Sequence, residues 1–113
     1  MKPIHRKSDN ELLGYVRQNG ESWDVLTMFC VRFDVATSEK GAVSVLQNKG
    51  FEVLSRRWEY FDQAGEEWQP CVLKEAREGS VTIITTNEYG HQEPGVSKQL
   101  TFNKPDGNVL RLA

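Results

Sequence analysis

The chain has 113 residues, of which 38% are hydrophobic and 27% are charged, and its formal net charge is −2. This length predicts one domain over residues 1–113, with a flexible polar segment at residues 1–10, and the apolar content is too high for a disordered chain. The small negative charge excludes the basic footprint of a protein that binds nucleic acid mainly through its net charge.

The first residues lack the features of a targeting segment. The stretch MKPIHRKSDNELLG has a basic flank but no apolar core, so it does not have the composition of a secretory signal. No stretch of the chain approaches the length of a membrane span. These observations predict a cytoplasmic protein with no membrane partner.

Asn19 and Gly20 lie between two alternating apolar stretches and predict a tight β-hairpin. Both residues tolerate a positive φ, which a type I′ turn requires at its two central positions. The strand before the turn is predicted over Glu11–Arg17 and the strand after it over Ser22–Asp34. The second strand is apolar on both faces at its middle, which indicates a central strand covered on both sides.

The hydrophobic period then changes to that of a helix. Thr37 or Ser38 is the expected N-cap, and Lys49 falls in the last turn, where a basic residue is favourable. Gly50 is expected at the C′ position in the left-handed conformation. Phe51 would then make the apolar contact of a Schellman motif.

Alternation and turn residues predict four or five further strands. They cover Phe51–Phe61, Glu67–Glu75, Ser80–Thr86, Val96–Phe102 and, as a short seventh strand, Val109–Leu112. Pro70 lacks a backbone N–H, which places its strand at a sheet edge or at a bulge.

The order of these elements predicts an α+β fold. Six or seven mostly antiparallel strands would form a curled sheet or half-open barrel, with one helix inserted between predicted strands 2 and 3. The helix either joins those two strands in parallel or closes one end of the sheet. The predicted core comprises Leu13, Tyr15, Trp23, Val25, Phe29, Val31, Val45, Leu46, Phe51, Leu54, Trp58, Val72, Leu73, Val81 and Ile83.

The sequence predicts no metal site, no cofactor and no catalytic residue. His5 and His91 are the only two histidines, and no CxxC, HxH or HExxH motif is present. There is no GxSxG motif and no glycine-rich phosphate loop. Glu59 and Glu75 lie on adjacent predicted strands as a candidate acid/base pair, but carboxylates on strands more commonly face solvent or form cross-strand ion pairs.

Cys30 and Cys71 both fall inside predicted strands. In a reducing compartment this pattern predicts two free, buried thiols. A disulfide between them is the alternative for a protein exported by another route.

Arg56, Trp58 and Tyr60 alternate onto one face of a predicted strand, which is the pattern of a platform on which nucleic-acid bases stack. An acidic turn over Asp62–Glu67 follows directly and would repel phosphates. The pattern therefore favours packing over base stacking and argues against a nucleic-acid partner.

Trp23 and Trp68 lie beside predicted turns. Tryptophan near a turn is commonly half exposed, and exposed tryptophan is enriched at interaction hot spots; the alternative is that both belong to the core. The candidate binding surface from sequence comprises Trp23, Arg56, Trp58, Tyr60 and Trp68.

These features favour a non-catalytic protein-binding or accessory module that engages another protein, or a second copy of itself, through a sheet face or edge. The alternative is a small-molecule binder or enzyme with a cavity between sheet and helix. Its inward polar groups would come from Arg56, Glu59, Tyr60 or Glu75. Nucleic-acid binding is a third hypothesis and predicts salt-dependent affinity.

Overall fold

A computed structural model describes all 113 residues, which form two antiparallel sheets and one α-helix. The first sheet contains, in spatial and chain order, β1 (Lys2–His5), β2 (Leu12–Asn19), β3 (Ser22–Leu26) and β4 (Arg32–Ala36). The chain continues through α1 (Glu39–Lys49) and a 3₁₀ helix (Glu52–Ser55). The second sheet contains β5 (Arg57–Asp62), β6 (Glu67–Arg77), β7 (Ser80–Thr85), β8 (Gln99–Asn103) and β9 (Leu110–Leu112). Its spatial order is β8-β7-β6-β5-β9.

The expectation of an α+β fold with antiparallel strands is confirmed, but two of its details are wrong. The helix follows the fourth strand and not the second, and the strands form two sheets with no closed barrel, in place of one curled sheet or half-open barrel. The radius of gyration, 14.5 Å, is slightly above the roughly 13 Å expected for a chain of this length, and the unit is elongated. None of its helices is long and apolar enough to cross a membrane.

The predicted strand over Ser22–Asp34 is in fact two strands joined by a tight turn. The backbone N–H of Cys30 donates to the carbonyl of Thr27 at 2.9 Å, and the N–H of Thr27 donates to the carbonyl of Val31 at 2.9 Å. The N–H of Val31 donates in turn to the Thr27 hydroxyl at 3.1 Å. Cys30 has a φ of +69°, at a position where hairpins of this kind usually carry glycine. Because the turn contains no Gly, Asn or Pro, its sequence continues the alternation of the strands.

The ends of two other elements also differ from the prediction. Residues 1–10 were expected to be flexible, yet Lys2–His5 pairs with β2 and the side chain of Ile4 is buried. A single buried residue gives too short an alternation to predict a strand. Glu52–Ser55, expected at the start of a strand, forms the 3₁₀ helix instead.

The β2–β3 hairpin forms as expected but with a different turn. Asn19 pairs with Ser22, so Gly20 and Glu21 are the two central residues. Gly20 has a φ of +63°, whereas Glu21 is not among the residues with a positive φ. This is the pattern of a type II′ turn and not of the expected type I′ turn.

Helix α1 begins where the sequence indicates and ends differently. Ser38 is the N-cap, and its hydroxyl accepts a hydrogen bond from the first turn at 3.0 Å. Gly50 has a φ of −58°, so the left-handed cap of a Schellman motif is absent. A Cβ at this position would lie 2.6 Å from the carbonyl oxygen of Leu46 and 3.2 Å from the Cβ of Leu13. Glycine is therefore required by the close packing of the helix end on β2.

Pro70 lies in an internal strand, which corrects its predicted place at an edge or bulge. Its carbonyl accepts a hydrogen bond from the N–H of Thr86 at 3.1 Å, one residue beyond the end of β7. In an antiparallel ladder the N–H and carbonyl of one residue point the same way. The N–H that Pro70 lacks would therefore point toward the chain just beyond the end of β7, so no bond within the ladder is lost. The bulge of β6 lies instead between Leu73 and Glu75.

The core consists of two hydrophobic clusters, one for each sheet. The first lies between α1 and the first sheet and contains Ile4, Leu13, Val16, Val25, Ala42 and Leu46. The second lies on the inner face of the second sheet and contains Phe29, Val31, Val53, Trp58, Cys71, Val81, Ile83 and Leu110. Phe29 comes from the β3–β4 turn of the first sheet, and its ring meets the Trp58 ring edge to face at 5.8 Å. The hairpin tip of one sheet is thereby part of the core of the other.

Eight residues of the predicted core are buried: Leu13, Val25, Phe29, Val31, Leu46, Trp58, Val81 and Ile83. The other seven are half-buried: Tyr15, Trp23, Val45, Phe51, Leu54, Val72 and Leu73.

Candidate functional site

The second sheet has a covered inner face and an outer face directed to solvent. Trp58 and Tyr60 of β5 point inward and pack in the second cluster. Because side chains alternate along a strand, Glu59 and Phe61 point outward. No helix covers this outer side, since α1 packs on the first sheet.

Five outward side chains from three neighbouring strands meet on this face, which we name the Trp68 face: Glu59, Phe61, Trp68, Pro70 and Arg111. The strand register places Phe61 opposite Trp68, and Glu59 opposite both Pro70 and Arg111. Residues that face each other across antiparallel strands have Cβ atoms within about 5.5 Å, so these side chains are in reach of one another.

The rings and the guanidinium of this face form one stacked group. The ring centroids of Phe61 and Trp68 are 5.5 Å apart with an interplanar angle of 61°. The Arg111 guanidinium carbon lies 4.0 Å from the centre of the Trp68 ring. The Nε of Arg111 also donates to Glu59 at 2.8 Å. A cation over an aromatic ring at a half-exposed site contributes about 0.5–1 kcal/mol, so the group favours one orientation of Trp68.

The turn beside the Trp68 face carries unpaired negative charge. Asp62 and Glu67 lie directly opposite each other where the β5–β6 hairpin closes, and Glu66 lies in the loop directly before Glu67. None of the three takes part in an ion pair, and the hydrogen bond to Glu67 comes from the neutral side chain of Gln69, at 2.6 Å. Like charges directly opposite in a sheet are destabilising. The turn end of the β5–β6 hairpin is therefore acidic.

The structure does not assemble the predicted stacking platform. Trp58 is fully buried, and its indole N–H donates to the carbonyl of Val53 at 3.1 Å. Tyr60 is half-buried on the same inner side. Arg56 is exposed but lies before the strand, at the end of the 3₁₀ helix. Trp58 thus belongs to the core and not to a surface, because the face it shares with Tyr60 is the one that covers the second cluster.

The two turn-proximal tryptophans lie on different sheets. Trp23 is half-buried and packs against the first cluster, beneath α1. Trp68 is half-buried on the outer face of the second sheet. The partners of Trp68 were missed by sequence reasoning. The sequence does indicate that Phe61 faces outward, because it alternates out of phase with Trp58 along the strand. It does not indicate Arg111, which is fifty-two residues from Glu59 in the chain.

The candidate acid/base carboxylates are each held in an ion pair. Glu59 accepts from Arg111, and Glu75 accepts from Arg77 two residues along its own strand. His5 and His91 are exposed, and no group of three or more His, Cys, Asp or Glu side chains has the arrangement of a metal site.

Both cysteines are free thiols. Burial raises the pKa of Cys71 to about 12, and the nearby carboxylate of Glu59 adds to this effect. Burial also raises the pKa of Cys30. Because the thiolate is the nucleophilic form, neither side chain is activated at neutral pH.

The contact between helix and sheet is filled. Ala42 and Leu46 of α1 have no exposed surface where they meet the first sheet. The main depressions of the molecule lie elsewhere and are open to solvent; the most apolar is a groove lined by Phe51, Leu54 and Leu73 together with polar residues of β6.

Comparison of this chain with protein-family models, with curated proteins and with solved structures finds no match. Its function is therefore inferred from its own geometry.

Proposed function

We propose that this protein is a non-catalytic binding module that engages a partner protein through the Trp68 face. One observation carries the proposal: Trp68 is half-buried on an uncovered sheet face, with the Arg111 guanidinium stacked on its ring at 4.0 Å. Tryptophan and arginine are among the residues most enriched at interaction hot spots.

Preorganisation supports this role. The Phe61 ring meets the Trp68 ring edge to face, and the Arg111 guanidinium lies over the Trp68 ring, so both contacts favour one orientation of Trp68. A side chain already held in its bound orientation loses less conformational entropy when a partner docks. An aromatic side chain of this size also buries a large area, about 150–250 Å² when fully covered.

The face continues beyond the second sheet. Arg111 also borders a shallow cleft where β9 lies against β4 of the first sheet. Phe33 and Val35 line that cleft, and Val35 is 49% exposed. A partner seated on Trp68 can therefore reach apolar surface on both sheets.

The test is photo-crosslinking at the face. A photoreactive phenylalanine analogue replaces Phe61 in the full chain, and the same analogue at Ser44, on the exposed side of α1, is the matched control. Irradiation of the cells that produce the protein should give one reproducible crosslinked partner from position 61 and not from position 44.

Affinity measurements with that purified partner complete the test. Trp68→Ala should weaken binding by roughly 30-fold, the factor that corresponds to a hot-spot loss of about 2 kcal/mol. Trp23→Ala should leave the affinity unchanged, because Trp23 packs against the first cluster beneath α1 and not on the Trp68 face. No crosslink at position 61, or equal affinity for the Trp68→Ala chain, would refute the proposed function.

A further inference from the structure

The two sheets have four edge strands, and three of them carry features that oppose pairing with another chain. β1 contains Pro3 and an irregular register at its end. β4 contains Arg32 and Asp34 and is bulged against β3. β9 has only three residues and lies against β4.

The fourth edge strand, β8, has none of these features. Its sequence, QLTFN, contains no charge and no proline. It pairs with β7 in regular register over all five residues. Four of the five are exposed, and the fifth, Phe102, is half-buried. This is the one edge strand of the protein that is regular, uncharged and open.

The backbone of β8 has unpaired hydrogen-bonding groups along its outer side. The carbonyl of Lys98 accepts from Thr85 in β7, and the N–H of Lys104 donates to Gly79, so residues of even number point toward β7. Since the direction alternates along an antiparallel strand, the N–H and carbonyl groups of Gln99, Thr101 and Asn103 point away from the sheet. These groups form a template for a further strand.

Lysines lie at both ends of this edge, and the exposed carboxylate of Glu93 lines a depression beside Lys98 and Gln99. Lys98 and Lys104 flank β8 at its two ends, and neither takes part in an ion pair. A third cation is close, because the Nζ of Lys74 donates to the Gln99 side chain at 2.7 Å. The nearby carboxylate of Glu75 is already bound to Arg77.

A second copy of the chain does not fit this edge. If two β8 strands pair antiparallel over all five residues, Thr101 faces its own copy and Lys98 faces Lys104 at both ends. Like charges directly opposite each other are destabilising. The edge therefore selects a different chain, with negative charge at these positions.

We infer that β8 accepts an extended segment of another protein as a sixth, antiparallel strand of the second sheet. The segment carries apolar side chains opposite Leu100 and Phe102 and an acidic residue next to each of Lys98 and Lys104. Backbone hydrogen bonds to Gln99, Thr101 and Asn103 hold the strand, and the two acidic residues set its register. This edge is distinct from the Trp68 face, so the inference goes beyond the proposed function.

A blocked seven-residue peptide, Glu-Thr-Val-Thr-Val-Thr-Glu, is the probe. Titrated into the ¹⁵N-labelled full chain, it should shift the amide resonances of Gln99, Thr101 and Asn103 and slow their exchange with solvent. The counterpart peptide Lys-Thr-Val-Thr-Val-Thr-Lys should bind about tenfold more weakly, because it replaces two attractions with two repulsions. Shifts elsewhere, no shifts, or equal binding of the two peptides would overturn the inference.

Two variants at one position separate edge pairing from other effects. Thr101→Pro removes an N–H that points away from β7, so it should abolish peptide binding while the paired side of β8 is kept. Thr101→Val also removes the contact between the Thr82 and Thr101 hydroxyls, at 2.9 Å, but keeps the N–H, and it should bind as the natural sequence does. Equal binding by both variants would contradict pairing at this edge.

Charge reversal keeps the inference testable if Thr101→Pro does not fold. The double variant Lys98→Glu, Lys104→Glu should prefer the lysine peptide over the glutamate peptide, and an unchanged preference would count against the inference. Trp68→Ala should bind the glutamate peptide normally. A failure at β8 and a failure at the Trp68 face are thereby distinguished.

Discussion

The two sheets of this protein differ in how their faces are covered. The first sheet has α1 on one side, and on the other it buries Leu26 and the carboxylate of Asp24. The hydroxyl of Tyr15 on this sheet reaches Glu78, in the turn between β6 and β7, at 3.3 Å. The second sheet has a core on its inner side and the uncovered Trp68 face on its outer side.

This difference suggests that the first sheet supports the fold and that the second sheet makes the contacts with partners. The first sheet contributes Phe29 to the core of the second and carries α1 on its own side. The second sheet carries both surfaces for which we propose partners, its outer face and its edge strand β8. Substitutions in the shared core, in the first sheet and on the second sheet should therefore differ in their effects.

The largest effect is expected where the two sheets share a core. Phe29→Ala removes a fully buried ring that contacts Trp58, and it should lower the free energy of unfolding by about 3–5 kcal/mol. Urea denaturation measures this change. Met28→Ala, at a half-buried neighbour in the same turn, should cost clearly less. A Phe29→Ala chain as stable as the natural sequence would show that the turn does not join the sheets.

The buried carboxylate of the first sheet gives the next largest effect. Asp24 is 1% exposed, and its carboxylate accepts from Arg17 at 2.9 Å, with Arg32 at 3.6 Å. Asp24→Asn leaves two guanidinium groups without their anion. It should cost about 1–3 kcal/mol, a moderate value because both arginine side chains are about half exposed.

The same carboxylate makes stability depend on pH. Burial raises the pKa of Asp24, but hydrogen bonds from Arg17 and Asn19 outweigh burial, so the pKa lies below its ordinary value of 3.8. A lowered pKa in the folded state stabilises the protein above pH 3.8, and this contribution is lost as the pH falls through the lower folded value. In Asp24→Asn the free energy of unfolding should fall less steeply over that range, and a slope equal to that of the natural sequence would contradict this link.

Trp68→Ala should have a smaller effect on stability than Trp58→Ala. Trp68 contributes its contacts with Phe61 and Arg111 at a half-exposed site, and its loss should cost about 1 kcal/mol. Trp58 is fully buried, and its loss should cost about 3–5 kcal/mol. Equal costs in urea denaturation would contradict the assignment of one tryptophan to the core and the other to the surface.

The smallest effect is expected at the tip of the β5–β6 hairpin. Glu66 has a φ of +53°, a conformation that glycine adopts without strain. Glu66→Gly should raise the free energy of unfolding by about 0.5 kcal/mol, because relief of strain exceeds the added flexibility of the unfolded chain. Glu67→Gly, within a strand, should lower it, and a lower value for both variants would contradict a strained tip.

Sequence reasoning located elements that carry local signals. Ser38 and the periodic apolar residues after it identify α1, and the alternation around Asn19 identifies the first long hairpin. The turn at Thr27–Cys30 was missed because its residues are those of a strand, and Cys30 takes a positive φ at a position where glycine is usual. That turn and the unpredicted strand β1 together moved the helix from after the second strand to after the fourth.

The candidate site shows the same limit. Alternation correctly placed Trp58 and Tyr60 on one face, but it does not reveal which face of a strand meets the core. Trp68 was among the predicted surface residues, whereas Arg111 depends on the pairing of β9 with β5, which brings together segments far apart in the chain. Which distant strands pair is set by the tertiary structure, and the local periodicity of the sequence does not indicate it.

The packing of Phe29 in the second cluster also constrains the order in which the protein folds during synthesis. The first sheet and α1 emerge from the ribosome as one continuous segment, and every strand pairing within them is between chain neighbours. Phe29, however, has no pocket until Trp58 has emerged, and the cluster around it is complete only when Leu110 has been added. The nascent chain therefore exposes this ring while the second sheet is being made, and the ring docks only when that sheet has formed.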